Sequence, residues 1–413
     1  MGQDWSVEEI DLDPPKAGEV LVRVTAAGLC HSDDHIITGD SPMPTPMIGG
    51  HEGAGIVEEV GPGVSSLVPG DHVVLAFIPA CGRCVPCSTG HQNLCDLGAL
   101  IGYGRQADGT SRHHADGRDL QLMCLLGAFA DSTVVNEASC VAIDSAYSLR
   151  TACLVGCGAV TGWGSAVYAA DVRPGDTVVV VGTGGIGSSA LQGARLAGAE
   201  TVIAIDPVPF KREQAARFGA HLTFASMEEA KLPIRELTKG RMAHKVIMAM
   251  GVGRGELLNQ ALGLTAKLGR VVITNIHPYA ENDVSMNLSN LTGMEKQVVG
   301  SLFGSANPRS DIPKLLELDA KGQFDLGGLI TRSYPLEQVN EGYRDLKAGL
   351  NIRGILSLDG TPPAPDRSSA PGQEGWGHHP SRCGPTPSGS DCRPWNRSPS
   401  TTWPSTCPTY PSR

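Results

Sequence analysis

The chain contains no run approaching the ~20 consecutive apolar residues that a membrane-spanning helix requires. It also has no surplus of positive charge: 33 Lys and Arg stand against 43 Asp and Glu, a net charge of -10. No global positive field therefore exists to hold nucleic acid or an anionic membrane, and chemistry on small molecules becomes the leading expectation. The segment Met1 to Asp13 carries acids where a secretory leader carries lysines, which predicts a cytoplasmic chain. After Leu358 the sequence loses Val, Ile, Leu, Met, Phe and Lys altogether, and the 55 residues that follow hold twelve of the 29 prolines and three of the five tryptophans. Such a segment cannot build a core, so residues 359–413 are read as a disordered Pro/Ser-rich tail whose Cys383, Cys392 and Cys407 have no functional role.

The remainder is long enough for two domains of ordinary size. Up to about Val160 it is glycine-rich, with short β-prone runs at Glu19–Val24, Gly55–Val60, His72–Phe77 and Ser132–Ile143 separated by turns such as Gly61-Pro62-Gly63. That pattern predicts a small antiparallel, partly barrel-like β domain. From Pro174 the period changes to alternating strands and helices: strand Thr177–Val181, helix Ile186–Leu196, strand Thr201–Ile205 and helix Lys211–Phe218. Alternation continues through Lys245–Met250, Glu256–Ala266, Arg270–Asn275 and Val298–Phe303, which predicts a doubly wound parallel sheet. Helices at Ile312–Asp319 and Leu336–Ala348 then lead to a last strand at Ile352–Leu358.

Gly182-Thr183-Gly184-Gly185-Ile186-Gly187 follows the first of these strands and opens the next helix, the context in which a GxGxxG match is informative. Gly182 permits the tight turn, Gly184 and Gly185 bring backbone close to a pyrophosphate, and Gly187 lets helix and sheet pack together. Asp206 ends the next strand, 24 residues after Gly182, where a carboxylate accepts hydrogen bonds from both ribose hydroxyls and repels a 2'-phosphate. NAD(H) is therefore favoured over NADP(H). Lys211 is either a ribose or phosphate contact or a solvated surface lysine.

Nine of the twelve cysteines precede Gly158, and four of them fall within fifteen residues as Cys81-x2-Cys84-x2-Cys87-x7-Cys95. Four thiolates in one short loop can wrap a tetrahedral zinc ion. An iron–sulfur run would want a three-residue gap and a following proline at the last cysteine; free reduced thiols are the third reading. Four thiolates saturate a zinc ion, so this site is expected to hold a loop and not to perform chemistry. A second set is dispersed: Cys30 and His31, His51 and Glu52, and Cys157. Two thiolates and an imidazole can hold a zinc ion with one open position, although each residue alone is equally a buried inert cysteine or a structural histidine.

Taken together, Cys30-His31-Ser32-Asp33, Gly50-His51-Glu52, the four cysteines, Gly156-Cys157-Gly158 and the glycine turn occur in an order that resembles the zinc-containing medium-chain alcohol dehydrogenases. The resemblance spans nearly all of residues 4–358. It implies a GroES-like β-rich catalytic domain, residues 1–160 completed by 302–358, clasping a Rossmann NAD-binding domain at residues 161–301. It implies two zinc ions, one held by Cys30, His51 and Cys157 and one by Cys81, Cys84, Cys87 and Cys95. Asp33 then backs the zinc histidine, Glu52 lies behind the metal, Ser32 and His35 form a proton relay, Phe77 lines the substrate pocket, and Arg353 meets the pyrophosphate. The implied reaction is hydride transfer between an alcohol or aldehyde and NAD(H), in a homo-oligomer.

Within that family the chain looks most similar to actinobacterial nicotinoprotein alcohol dehydrogenases. The resemblance is carried by Gly49-Gly50-His51-Glu52-Gly53-Ala54-Gly55, Met123-Cys124-Leu125-Leu126-Gly127 and Gly300-Ser301-Leu302-Phe303-Gly304-Ser305. It implies NAD(H) that stays bound and is regenerated by an external carrier of the mycofactocin type. A glutathione- or mycothiol-linked formaldehyde dehydrogenase is the enzymatic rival, and a noncatalytic zinc-stabilised structural protein the rival of another class. Chains of this kind begin with one more β-strand ahead of Trp5–Ile10, so the expectation here is either a truncated or mispredicted start or an exposed sheet edge.

Overall fold

The computed structural model describes residues 4–282 and 284–360. The tail reading from Thr361 onward, with its three cysteines, lies outside the described residues.

Strand β1 (Glu19–Gly28) is the axis of the first sheet. Val20, Val22 and Val24 alternate inward and are essentially inaccessible, the period of two expected of a strand with one face on a core. After α1 (His31–Thr38), strands β2 (Gly53–Val60), β3 (His72–Leu75), β4 (Ser132–Asn136) and β5 (Cys140–Ile143) complete the antiparallel part. β2 and β4 flank β1, with Val24 opposite Gly55 and Val20 opposite Val135. The run expected as one strand over Ser132–Ile143 is two: Asn136 caps a one-turn 3-10 helix at Glu137–Ser139 that breaks it. At the N-terminal side, Trp5 is pinned by paired hydrogen bonds between its backbone and the Asn340 side chain, 3.0 and 2.8 Å.

Helix α2 (Gly158–Gly164) leads into the second sheet, built from β6 (Thr177–Val181), α3 (Gly185–Leu196), β7 (Thr201–Ile205), β8 (Leu222–Phe224), β9 (Ala243–Met248), β10 (Thr265–Ile273) and β11 (Gln297–Gly300). All neighbours are parallel, and the spatial order is β8-β7-β6-β9-β10-β11. Val178, Val179 and Val180 are wholly buried because helices cover both faces. The order reverses between β6 and β9, so their carboxyl ends open a crevice, the place where open α/β sheets bind ligands. Sequence periodicity passed over β8, three residues too few to show a pattern, and over α1. It also ran the helix before β10 two residues too far, since Thr265 and Ala266 already belong to the strand.

The chain then returns to the first sheet through β12 (Ile330–Tyr334), α4 (Val339–Lys347) and β13 (Arg353–Ser357). β13 pairs antiparallel with β1, Ile355 opposite Gly28, which delivers Arg353 to the crevice from sequence more than three hundred residues away. Among the described residues no single helix is long and apolar enough to cross a membrane. A bent pair, Leu149–Gly156 with Gly158–Ala169, passes by length and composition. Its Leu154, Val160 and Ala166 share one buried cluster with Val180 and Ala190.

Candidate active site

Three separate backbone devices bring the dispersed ligand candidates together. Cys30 occupies the extended N-cap position where β1 gives way to α1 (φ -122°, ψ 149°). His51 and Glu52 follow Gly50, which has φ 89° and on which a Cβ would lie 2.7 Å from the backbone nitrogen of Phe129. Only glycine fits that turn, and it aims His51 inward before β2 begins. Cys157 stands at the break between a 3-10 turn and α2. The outcome is that one ligand atom each from Cys30, His51, Glu52 and Cys157 lies within 4.8 Å of the others, all four residues being buried. His31, equally a candidate from its neighbourhood, is not brought to this cluster, and burial lowers its imidazole to about 4.

The electrostatics of this cluster are those of groups short of one cation. The adjacent Cys157 thiol, against the effect of burial and with help from His51, holds the Cys30 thiol well below the ordinary range. The pairing with Cys30, reinforced by burial, pushes Cys157 well above it. Burial disfavours charge on His51, yet Asp33 and Cys30 outweigh it and raise the imidazole. Oδ2 of Asp33 lies 3.0 Å from Nδ1 of His51, and Oδ1 accepts the Gly50 N–H at 2.8 Å. Nε2 of His51 is thereby left for the cluster, the orientation a carboxylate imposes on a ligating imidazole. Two sulfurs and one nitrogen that compete for a proton fit a borderline-soft divalent ion, which would take both cysteines as thiolates.

Glu52 sits immediately behind. Burial raises its carboxyl, although Arg353 opposes that rise. Arg353 forms an ion pair with Glu52, whose Oε1 also accepts the Gly158 N–H at 3.1 Å. The same arginine packs on the helix start of the glycine turn, where a Cβ on Gly185 would collide with it. One buried side chain therefore joins the cysteine–histidine cluster to the nucleotide turn.

That turn is built as its spacing predicts. Gly182 has φ 86°, and a Cβ on it would stand 2.6 Å from the Met250 backbone. A Cβ on Gly187 would run into the Gly182 carbonyl, whereas nothing lies within 4 Å of one on Gly184, the open side. Asp206 does more than sequence reasoning assigned it. Oδ2 accepts the Thr183 N–H at 2.8 Å and Oδ1 the Val208 N–H at 2.9 Å, so the carboxylate also ties the turn to the end of β7.

One cavity of about 540 Å³ runs from Cys30 and Cys157 past Arg353 and the glycine turn to Asp206 and Lys211. Ser32 lines it, its hydroxyl oxygen 3.6 Å from Sγ of Cys30. His35 lines it too, with Nδ1 3.3 Å from Asp40 and Nε2 3.1 Å from the Gly251 carbonyl; among the described residues it has no direct hydrogen bond to Ser32. Phe77 stands edge-on to His51 (ring centroids 5.9 Å, planes 78° apart) and against Phe303 at 4.6 Å. Sequence reasoning assigned Phe303 no role at the site, because it follows the last parallel strand by three residues and only folding turns it toward Phe77.

The four-cysteine loop lies apart from this cavity. Thiolates on a tetrahedron with Zn–S bonds of ~2.3 Å stand ~3.8 Å apart, and Sγ of Cys84 and Sγ of Cys95 are 3.8 Å apart. Backbone N–H groups of Cys81, Cys84 and Asp96 point at the sulfurs of Cys95, Cys81 and Cys84, at 3.4, 3.4 and 3.5 Å. Such donors stabilise thiolate charge, so the loop fits a tetrahedral ion with no position left over.

Comparison with known proteins agrees with this geometry. Residues 16–145 match the alcohol dehydrogenase GroES-like domain, and residues 185–321 match zinc-binding dehydrogenase. The chain is 50% identical to an NDMA-dependent alcohol dehydrogenase of Amycolatopsis methanolica over 86% of its length and 96% of the relative's. It is 49% identical to alcohol dehydrogenase B of Mycobacterium tuberculosis, over 86% and 95% of the two chains. A solved zinc-binding-domain alcohol dehydrogenase protein from Burkholderia ambifaria superimposes with a TM-score of 0.81 at 33% identity, over 86% and 96% of the chains. With both zinc-fitting clusters, the nucleotide turn and these relatives in agreement, the chain is a member of the zinc-dependent medium-chain alcohol dehydrogenase family, an oxidoreductase.

Proposed function

We propose that the chain interconverts an alcohol and its aldehyde by hydride exchange with NAD(H), at the cavity that unites Cys30, His51 and Cys157 with the glycine turn. The observation that carries this reading is the shared cavity: Cys30 and Cys157 of the metal-fitting cluster and the dinucleotide turn line the same space. When bound, the zinc ion supplies Lewis acidity at the substrate oxygen and the nicotinamide supplies or takes the hydride. Cys30, His51 and Cys157 hold the first; Gly182, Gly184, Gly185, Gly187, Asp206 and Lys211 hold the second, with Arg353 between. Asp206 gives NAD(H) preference over NADP(H) because a 2'-phosphate would meet its charge.

The chain's own groups then divide the work. Asp33 fixes the His51 ring, Glu52 and Arg353 balance each other's charge behind the cluster, and Phe77 with Phe303 forms an apolar wall that excludes water. Ser32 and His35 carry the proton of the alcohol away from the cavity. Residues 1–160 with 302–358 act as the catalytic part and residues 161–301 as the nucleotide part. Cys81, Cys84, Cys87 and Cys95 hold a second zinc that keeps their loop folded.

The finer reading follows the NDMA-dependent relative: a cytoplasmic homo-oligomer whose NAD(H) remains bound and is reset by an external carrier. Native purification tests it. Two zinc ions and one nucleotide per chain, with alcohol-dependent reduction of a dye acceptor in the absence of added NAD, are expected. A protein that arrives without nucleotide and turns over only with free NAD would overturn the bound-cofactor reading. Turnover only with thiol adducts of formaldehyde would overturn the free-alcohol reading.

A further inference from the structure

At this site two imidazoles each face a carboxylate at Nδ1. The first, His51 against Asp33, belongs to the metal cluster. The second is His35, whose Nδ1 lies 3.3 Å from Oδ2 of Asp40 and whose Nε2 lies 3.1 Å from the Gly251 carbonyl. Asp40 stands outside the cavity, just past the end of α1. The helix stops at Gly39, with φ 85°, and the N–H groups of Gly39 and Ser41 both bond to the His35 carbonyl at 3.0 and 3.1 Å. This turn folds Asp40 back over His35. Oδ2 of Asp40 also accepts the Thr38 hydroxyl at 2.7 Å, and the Asp40 carbonyl accepts the Tyr279 N–H at 3.1 Å. The Asp40 backbone and carboxylate are thereby each anchored beside a ring whose side chain is only 2% exposed, while that of Asp40 is 27% exposed.

We propose that Asp40 is the positioning residue of His35, fixing its tautomer and stabilising it once it has taken up the substrate proton; this rests on the relay reading above. A neutral imidazole has one N–H and one lone pair. The carboxylate draws the N–H to Nδ1, which leaves the Nε2 lone pair facing a second acceptor, the Gly251 carbonyl oxygen, until a proton adds there. When a proton adds at Nε2, a new N–H bond forms and the ring becomes a cation that donates to Gly251 on one side and to Asp40 on the other. Giving that proton to water breaks the same N–H bond and restores the neutral ring. Asp40 stays ionised throughout, as a carboxylate does behind the imidazole of a hydrolase triad. The site thus uses one device twice, once to aim a metal ligand and once to aim a proton acceptor.

The test compares D40A, D40N and H35Q in the purified holoenzyme, each checked for parental far-UV circular dichroism and nucleotide content. Three readouts are needed: alcohol turnover, its rescue by added imidazole, and the tautomer of His35 from 15N-histidine NMR, assigned by its loss in H35Q. The expected result is an Nδ1-protonated ring in the parent, which D40A converts to the Nε2-protonated form. D40A should lose about tenfold in turnover, the low end for losing the hydrogen-bond partner of a working imidazole, and external imidazole should restore part of it. D40N can still accept from the Nδ1–H but lacks the charge, so it should keep the tautomer and lose less. Parental turnover in D40A, or a loss with unchanged tautomer and no imidazole rescue, would overturn the assignment of Asp40. Parental turnover in H35Q would instead defeat the relay reading itself, which separates the two failures.

Discussion

The two cysteine clusters of this chain solve opposite problems. The Cys81–Cys95 loop gathers four sulfurs from fifteen residues and points backbone N–H groups of Cys81, Cys84 and Asp96 at three of them, so its ligand set comes from one short stretch. The Cys30–His51–Cys157 cluster draws on three separate segments, the last of them more than a hundred residues beyond the second, is buried, and depends on Asp33, Glu52 and Arg353 for its charge balance. Four thiolates around one ion would leave nothing further to bind, so the proposed part of the first is in folding. The second has fewer soft ligands and an open face toward the nucleotide turn, and the proposed reactivity rests on that incompleteness. The comparison teaches that chemistry is located where long-range packing assembles an unsaturated ligand set, and stability where a short loop saturates one.

The comparison is most severely tested by exchanging the failures. C157A is expected to fall from two zinc ions per chain to one and to lose more than about a thousandfold in turnover, while its loop remains resistant to proteolysis; metal analysis beside steady-state kinetics reads both. Two retained zinc ions with full activity would break the distinction. C95S should do the converse, losing the other zinc and exposing the segment from Cys81 to Cys95 to limited proteolysis, because structural zinc is folding free energy for the loop that binds it. Mass mapping of the first cleavage sites checks this, and cleavage elsewhere first would count against it.

A smaller effect is expected at the link between the regions of the cavity. R353L leaves Glu52 buried without its partner and should cost about 3–5 kcal/mol by denaturant unfolding; E52Q in the same background should recover part of that loss by removing the stranded charge. The smallest effect is expected at Asp206. D206A removes the acceptor of the Thr183 and Val208 N–H groups and should weaken NAD binding by about 1–2 kcal/mol, while narrowing its preference over NADP, as fluorescence titration with both nucleotides would show.

How much of this was legible before folding varied with distance along the chain. The glycine turn and the strand before it could be read because a strand, a tight turn and a helix start are local and leave a fixed residue pattern. The break at Glu137–Ser139 could not, since Asn136 caps a turn inside a run that is β-prone throughout. α1 was hidden for another reason: its buried positions include Asp33, Asp34 and His35, which are polar and satisfy no apolar period. Phe303 and Asp40 gave no signal because their roles depend on Phe77, His35 and Gly251, which no spacing predicts. Cys30, His51 and Cys157 were recognisable only through the family's order of motifs.

The sequence by itself determined the closed four-cysteine loop, the phosphate-approach turn and the alternation that makes a parallel sheet, since each depends on contacts within a few dozen residues. Only the tertiary structure decided that β13 returns beside β1, bringing Arg353 between Glu52 and Gly185, and that Asp33 and Asp40 each back an imidazole. Those contacts are set by how sheets and helices close over a common core, and a carboxylate, an arginine or a histidine carries in its own neighbourhood no mark of the partner it will meet.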